Sequence, residues 1–340
     1  MVKKYILKFK VPAGTSRGVM MEKETYFLFV EKNGKIGVGE CGILRGLSAD
    51  DVPEYENKLH WVDKNLSLGK EKLLAELLEF PSIQFGVEQA FLSVEQEDPH
   101  ILFPSLFTEG KKSIPINGLV WMGQASYMKE QMKEKIEKGF RCIKMKIGAI
   151  DFETELQLLK ALRKEFSVKD IEIRVDANGA FSTDEVMEKL YRLSELQLHS
   201  IEQPIRAGQL PQMASLCATS PIPIALDEEL IGVFRKDEKE KLLAEIRPQY
   251  IILKPSLTGG YQGNLEWISV AQKYGIGYWI TSALESNIGL NAIAQWTFTL
   301  SPQMPQGLGT GSLYTNNMVS PLVVSQGELH YGAGKWGAIE

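Results

Sequence analysis

Lys146, Asp176, Glu202, Asp227 and Lys254 recur along the chain at steps of 30, 26, 25 and 27 residues. Each closes a short apolar run: CIKMK, IEIRVD, SIE, IALD and YIILK. Carboxylates gathered in one place raise each other's pKa unless a cation lies between them. Three such oxygens, with room left for water and substrate, suit Mg²⁺. Asp176, Glu202 and Asp227 are therefore a candidate metal set. Any one of them alone could equally be a helix cap or a solvated loop residue.

Lysine is a poor base near neutrality until burial or a nearby positive charge lowers its pKa. A divalent cation and a second lysine would supply that charge. Lys146 and Lys254, facing each other across such a cation, suit removal of a proton next to a carboxylate. Lys144 shares a strand face with Lys146. It is either an electrostatic modulator of the site or half of a buried ion pair.

Placing these residues on one ring requires a repeating scaffold. From Ser113 onward, short apolar strands alternate with amphipathic helical stretches, in units of 25 to 30 residues. SIPINGLVW, CIKMKIG, IEIRVDAN, SIEQP, IALDE, YIILKPS, GYWITSALE and QGLGT make eight candidate strands. Alternation of this kind means a parallel sheet, and eight units mean a closed barrel whose chemistry lies at the C-terminal strand ends. Ser182 and Glu185 form a capping-box pattern before one of the helices. The seventh strand is expected to end near Glu285.

The first hundred residues read differently. Tyr5–Val11 and Glu24–Val30 are strands, and Asn33-Gly34 turns the chain back into KIGVGE. Helical stretches follow, the first capped by Ser48, then KEKLLAELLEF and IQFGVEQAFLSVEQ. The division expected is an α+β domain over 1–110, a barrel over 111–317, and a tail, 318–340, packing back on the first domain.

Net charge is −5, with 44% hydrophobic and 24% charged residues. Nothing here favours nucleic acid or an anionic membrane surface as a partner. The N-terminal MVKKYILKFK lacks the apolar run of a signal peptide, and no stretch reaches the length of a membrane span. Cys41, Cys142 and Cys217 are scattered, as reduced core thiols would be. A cytoplasmic enzyme acting on a small molecule is the expectation, with its oligomeric state open. His199 reads as structural, Cys142 as core, and GLGTG at 307–311 as a tight turn, because it lacks the rest of a phosphate-loop pattern.

The ordered motifs K-x-K (144–146), D-A-N-G (176–179), E-Q-P (202–204), A-L-D-E (225–228) and L-K-P-S-L-x-G-G (253–260) resemble the enolase superfamily. Its muconate-lactonizing subgroup fits best. That resemblance implies a (β/α)7β TIM-like barrel with an α+β capping domain. It also implies Mg²⁺, with Mn²⁺ tolerated, on Asp176, Glu202 and Asp227, and a small carboxylate substrate. Segments 282–290 and 307–317 look most like the subgroup members that dehydrate a succinyl-hydroxy-cyclohexadiene carboxylate to an aromatic acid for menaquinone synthesis.

By that resemblance Lys146 is the base and Lys254 a stabilising cation. Asn178 and Glu228 support the ligands, and Arg174 could add positive charge. Ser282, Ser286 and the helix start after Glu285 are candidates to receive the succinyl carboxylate. Loops near Ser16-Arg17-Gly18 and Cys41 to Gly46 could close over the barrel mouth. No histidine stands near strand seven, which argues against a mandelate-racemase-like dehydratase. No Asp-x-Asp follows strand eight, which argues against a dipeptide epimerase. N-succinylamino acid racemization and muconate cycloisomerization stay open. A non-catalytic binding protein fits less well, since it would have no use for opposed lysines.

Overall fold

The computed structural model describes residues 1–15 and 18–338. An antiparallel sheet opens the chain, with β1 (Val2–Thr15), β2 (Gly18–Lys32) and β3 (Lys35–Cys41) in that order. Asn33 and Gly34, at φ 52° and 76°, make the expected tight turn between β2 and β3. Helix α1 (Tyr55–Lys64) starts later than expected, and Ser48 does not cap it. The Ser48 hydroxyl instead accepts from the Leu44 N–H at 2.9 Å, so it pins the loop after β3. Helix α2 (Lys70–Ala75) is also shorter than KEKLLAELLEF suggested. Pro81 then opens α3 (Pro81–Glu95), where its fixed φ and missing N–H cost nothing.

Helix α3 lies directly on β3. A Cβ on Gly39 would stand 1.9 Å from the Gly86 carbonyl oxygen, so only glycine permits this approach. Tyr26, Leu28, Ile43, Leu59, Ile83 and Val87 fill the core of this unit.

The second unit begins after β4 (Ile114–Pro115). It runs β5 (Gly118–Val120), α4 (Ala125–Glu137), β6 (Cys142–Lys146), α5 (Phe152–Glu165), β7 (Glu172–Asp176) and α6 (Val186–Ser194). It continues β8 (Ser200–Glu202), α7 (Leu210–Thr219), β9 (Ile224–Leu226), α8 (Lys236–Ile246) and β10 (Tyr250–Leu253). Helices α9 (Pro255–Thr258) and α10 (Gly260–Lys273), β11 (Gly277–Ile280) and α11 (Asn287–Thr299) complete it. Strands β5 to β11 form one parallel sheet in sequence order.

The expected eighth strand is reduced to a two-residue bridge. Gln306 donates its N–H to Pro115 O, and Gly307 donates to Ile280 O, so these residues close the barrel between its first and last strands. Pro305 lacks the N–H that a longer strand would need. The stretch expected as one strand, SIPINGLVW, is divided as well. Ile114 and Pro115 pair instead with β13 (Glu328–Tyr331), which forms a hairpin with β12 (Leu322–Ser325).

Alternation along the barrel strands separates two environments. Ile143, Met145, Ile173, Val175, Ile251 and Leu253 face the helices and build the main core. A small interior cluster of Ala225, Ile252 and Trp279 fills one side of the barrel, and His199 packs its ring on Tyr250 and Trp279. Ser182 donates its N–H to the Glu185 side chain at 3.2 Å, which is the backward half of the expected capping box. The tail crosses both units. Asn316 bonds Ile6 O and Lys8 N on β1, Met318 packs with Phe27, and the Trp336 ring stacks on His100 at 4.3 Å. Among the described residues, no helix is long and apolar enough to cross a membrane.

Candidate active site

Strand register sets the ring. Lys146 pairs with Asp176, Asp176 pairs with Glu202, and Glu202 pairs with Ala225, two residues before Asp227. Ala225 pairs with Tyr250, four residues before Lys254. The charged positions therefore climb gradually around one barrel end. Strands β6 and β10 are separated by three others, so Lys146 and Lys254 approach the same pocket from opposite sides. Lys144, Asp176, Asn178 and Glu228 also line that pocket. Its upper wall is apolar: Leu44 and Leu47 from the first unit, with Trp121, Leu257, Leu284 and Leu313 from the barrel.

The charges are matched pairwise. Lys144 bridges Asp176 at 3.1 Å and Glu202 at closer range, with its side chain 8% exposed. Lys146 donates to Asp176 at 3.0 Å and to the Asn178 side-chain oxygen at 2.6 Å. Lys254 donates to Asp227 at 2.5 Å. Burial alone would lower the pKa of Lys144 and of Lys254. For Lys144 the charges of Asp176, Glu202 and Asp227 more than offset it, and for Lys254 those of Asp227 and Glu228 do, so both are raised. Asp176 is held well below the usual carboxylate range: burial opposes this, but the three lysines outweigh it. Glu202 is pushed up by burial and by repulsion from Asp176 and Asp227, against the pull of Lys144.

Glu202 Oε1 and Glu228 Oε2 are buried and have no hydrogen-bond partner among the described residues. A buried carboxylate oxygen without a partner is costly, and a divalent cation beside it would satisfy it. Oxygen ligands from Asp176, Glu202 and Asp227 are the donor chemistry of Mg²⁺. In the conformation described, lysine ammoniums neutralise these carboxylates, and no group of three His, Cys, Asp or Glu is drawn tightly enough to hold an ion among the described residues. The donor set therefore fits the cation, with the lysines turned onto the same oxygens.

Asn178, at φ 45°, lies in the left-handed region that asparagine tolerates, and donates its amide to Glu228 Oε1 at 2.9 Å. Ser282 lines the pocket and shares a hydrogen bond with Thr310 at 2.7 Å. Arg174 does not reach the pocket. Its fully buried guanidinium lies over the Trp279 ring at 4.3 Å and bonds Glu172 and Pro305 O, deeper in the barrel.

The helix start after Glu285 also departs from expectation. Its N–H groups are already taken: Ser286 and Gly289 donate to Glu40 of β3, Ile288 to the Ser286 hydroxyl, and Asn287 to Asn317. The anion at that helix terminus is Glu40 itself, so Ser286 faces the first unit, not the pocket. Strand β11 stops at Ile280, and Glu285 bends back onto Ser256 and the Ala283 N–H. Leu44 puts the loop after β3 on the pocket wall. The other loop expected to close the mouth begins with Ser16 and Arg17, which lie outside the described residues. Sequence reasoning missed Trp121 and Thr310. Their only signal was position, at the first strand end and just after the closing bridge.

Residues 127–335 match the family described as enolase C-terminal domain-like. The o-succinylbenzoate synthase of Desulfotalea psychrophila is 47% identical over 95% of this chain and 96% of its own length. An L-amino acid-D/L-Glu epimerase of Francisella philomiragia is 29% identical over 78% of this chain and 76% of its own. The crystal structure of MenC from D. psychrophila superimposes with a TM-score of 0.86 at 43% identity, covering 97% of this chain and 98% of that one. A muconate lactonizing enzyme from Pseudomonas fluorescens, at 21% identity, shares the fold with a TM-score of 0.81 over 97% and 93% of the two chains.

Proposed function

The chain belongs to the enolase C-terminal domain-like family, and on that premise we infer that it acts as an o-succinylbenzoate synthase. The reaction is the syn-dehydration of 2-succinyl-6-hydroxy-2,4-cyclohexadiene-1-carboxylate to 2-succinylbenzoate, a cytoplasmic step of menaquinone biosynthesis. The observation that carries this reading is the pair of lysines facing one pocket from opposite strands, in a chain similar over 95% of its length to a synthase of that name.

Lys146, in its amine form, takes the proton from the carbon bearing the carboxylate. As an ammonium it then returns that proton to the departing hydroxyl on the same face, and water leaves. One C–H and one C–O bond break, and the ring becomes aromatic. Lys254 remains an ammonium on the opposite face, where it stabilises charge spread into the ring, partly by cation–π attraction. Asn178 orients Lys146, and Glu228 orients Asn178. The apolar wall of Leu44, Leu47, Trp121 and Leu313 excludes water. Ser282 and Thr310 offer hydroxyls to a polar substituent of the substrate.

Members of the enolase superfamily use Mg²⁺ as a rule. Here Asp176, Glu202 and Asp227 would hold it, and Mn²⁺ would be tolerated. When bound, it would supply positive charge beside the substrate carboxylate. Residues 1–110 with 318–340 would act as the cap and 111–317 as the catalytic barrel; the separate sheets of the first two segments and Met318 packing with Phe27 support this, although β13 of the tail pairs with β4 of the barrel segment.

The test is turnover of the cyclohexadiene substrate with Mg²⁺, followed by ultraviolet absorbance. Formation of the aromatic product is expected, and no turnover would overturn the reading. The side chains of Lys146 and Lys254 are equally exposed, each at 14%, which also suits racemization of an N-succinylamino acid by bases on both faces. Polarimetry with such a substrate decides whether that reaction accompanies dehydration.

A further inference from the structure

Lys23 of β2 is 2% exposed, and its ammonium has no hydrogen-bond partner among the described residues. Burying an unpaired ammonium is costly, and no step of the dehydration uses it. Carboxylates attract it: Glu40 of β3 and Glu285 of the barrel, and, from the opposite face of β2, its neighbour Glu24. Burial lowers the Lys23 pKa against their attraction, and raises that of Glu285 against the charge of Lys23.

These charges sit where the two units meet at the pocket. Glu40 accepts from Thr25 Oγ1 at 2.8 Å on its own sheet, and from the N–H groups of Ser286 at 2.9 Å and Gly289 at 2.8 Å across the interface. Glu285 accepts from the Ala283 N–H at 2.6 Å and from Ser256 Oγ. A Cβ on Gly42 would stand 3.1 Å from Glu285 Cγ, close enough to displace that side chain by a few tenths of an ångström, and 3.7 Å from Lys23 Nζ, an ordinary contact. Gly42 leads to Leu44, and the turn before Glu285 contains Thr281, Ser282, Ala283 and Leu284; all of these, apart from Gly42, line the pocket.

The barrel turn is strained. Leu284 has φ 63°, a left-handed conformation that leucine rarely adopts. Such a residue persists only where its surroundings over-determine it. Tyr314 holds it from one side, donating to Leu284 O at 2.6 Å. Glu285 holds it from the other, accepting from the Ala283 N–H.

We propose that Lys23, with Glu40 and Glu285, is a buried positioning group that fastens the loop after β3 to the strained turn at 281–285, and so sets how tightly the pocket closes on its carboxylate substrate. This rests on the reading that the pocket takes that substrate. Lys23 touches no reacting atom; it acts through Glu285 and the turn.

The test compares the full chain with Lys23→Met, Glu285→Gln, the double variant and Gly42→Ala, in steady-state dehydration and in amide hydrogen exchange without substrate. Wild-type turnover comes first, since its absence would overturn the functional reading and leave the exchange data to judge the latch. In Lys23→Met, KM should rise about tenfold with kcat within about twofold, as expected of misplaced walls around intact chemistry. Amides 281–286 should exchange faster. The double variant should be no worse than the worse single, because both remove one interaction. Gly42→Ala keeps every charge and should raise KM too, so the proposal stays testable if Lys23→Met does not fold. Unchanged KM and exchange in Lys23→Met or in Gly42→Ala, a loss in kcat alone, or additive effects in the double variant would each overturn it.

Discussion

Lys146 and Asn178 meet at 2.6 Å, and the contact decides which way the asparagine amide faces: its oxygen accepts from the lysine and its nitrogen donates to Glu228 at 2.9 Å. In the proposed reaction Lys146 is the base, and a base must be aimed before it can act; this chain of two bonds would aim it from beyond the carboxylate ring. Asn178→Ala should therefore lower kcat by roughly tenfold to a hundredfold and leave KM nearly unchanged, below the 10²–10⁴ expected of the base itself. Steady-state kinetics checks this. A rise in KM at constant kcat would instead make Asn178 a substrate contact.

Lys254 and Lys146 are equally buried, yet the proposed roles differ. Lys146→Ala removes the base and should abolish measurable dehydration. Lys254→Ala removes a charge aimed at the developing negative ring, a change worth about 10²–10³ in kcat. Asp227 would also lose the ammonium it holds at 2.5 Å, so Lys254→Arg, which keeps the charge, should recover part of the rate. Wild-type dehydration by Lys254→Ala beside a dead Lys146→Ala would mean that Lys254 has no part in the reaction.

The carboxylate ring also predicts what metal removal does. Lys144, Lys146 and Lys254 already pair with Asp176, Glu202 and Asp227, so the ring is not left as bare like charges when no cation is bound. Chelation should abolish turnover while far-ultraviolet circular dichroism stays unchanged, and added Mg²⁺ should restore the rate. Turnover indifferent to chelator would remove the cation from the reading, and unfolding on chelation would show that the lysines do not neutralise the ring.

Much of this site was legible in the sequence because a barrel converts spacing into geometry. One strand end per 25 to 30 residues places Lys146, Asp176, Glu202, Asp227 and Lys254 on one rim whatever the helices between them contain. What could not be read came from contacts between distant segments. The start of α11 looked like a free anion site, but Glu40, 246 residues away from Ser286, already fills it. Arg174 lay on the correct strand face, yet its length carries the guanidinium down to Trp279 and not up to the rim. The eighth strand failed locally: Pro305 has no N–H to pair, and only Gln306 and Gly307 bridge the first and last strands among the described residues.

Glu88 provides a readout of how the first unit is held on the barrel. From α3 it accepts the N–H groups of Tyr261 at 2.5 Å and Gln262 at 3.0 Å, at the start of α10. Burial nonetheless pushes its pKa up to about 7, with those two donors pulling the other way. The folded chain thus binds this proton more tightly than the unfolded chain, whose glutamate titrates near 4.5. The stability tied to the proton is complete below about pH 4.5 and is lost as pH rises through 7, a change on the order of 3 kcal/mol at most. Glu88→Gln cannot titrate. Its stability relative to wild type should therefore improve between about pH 4.5 and 7 and level off above that. Urea unfolding across that range measures the slope. A flat difference would place the glutamate's proton loss outside this window and leave the two N–H bonds as the dominant influence on its charge.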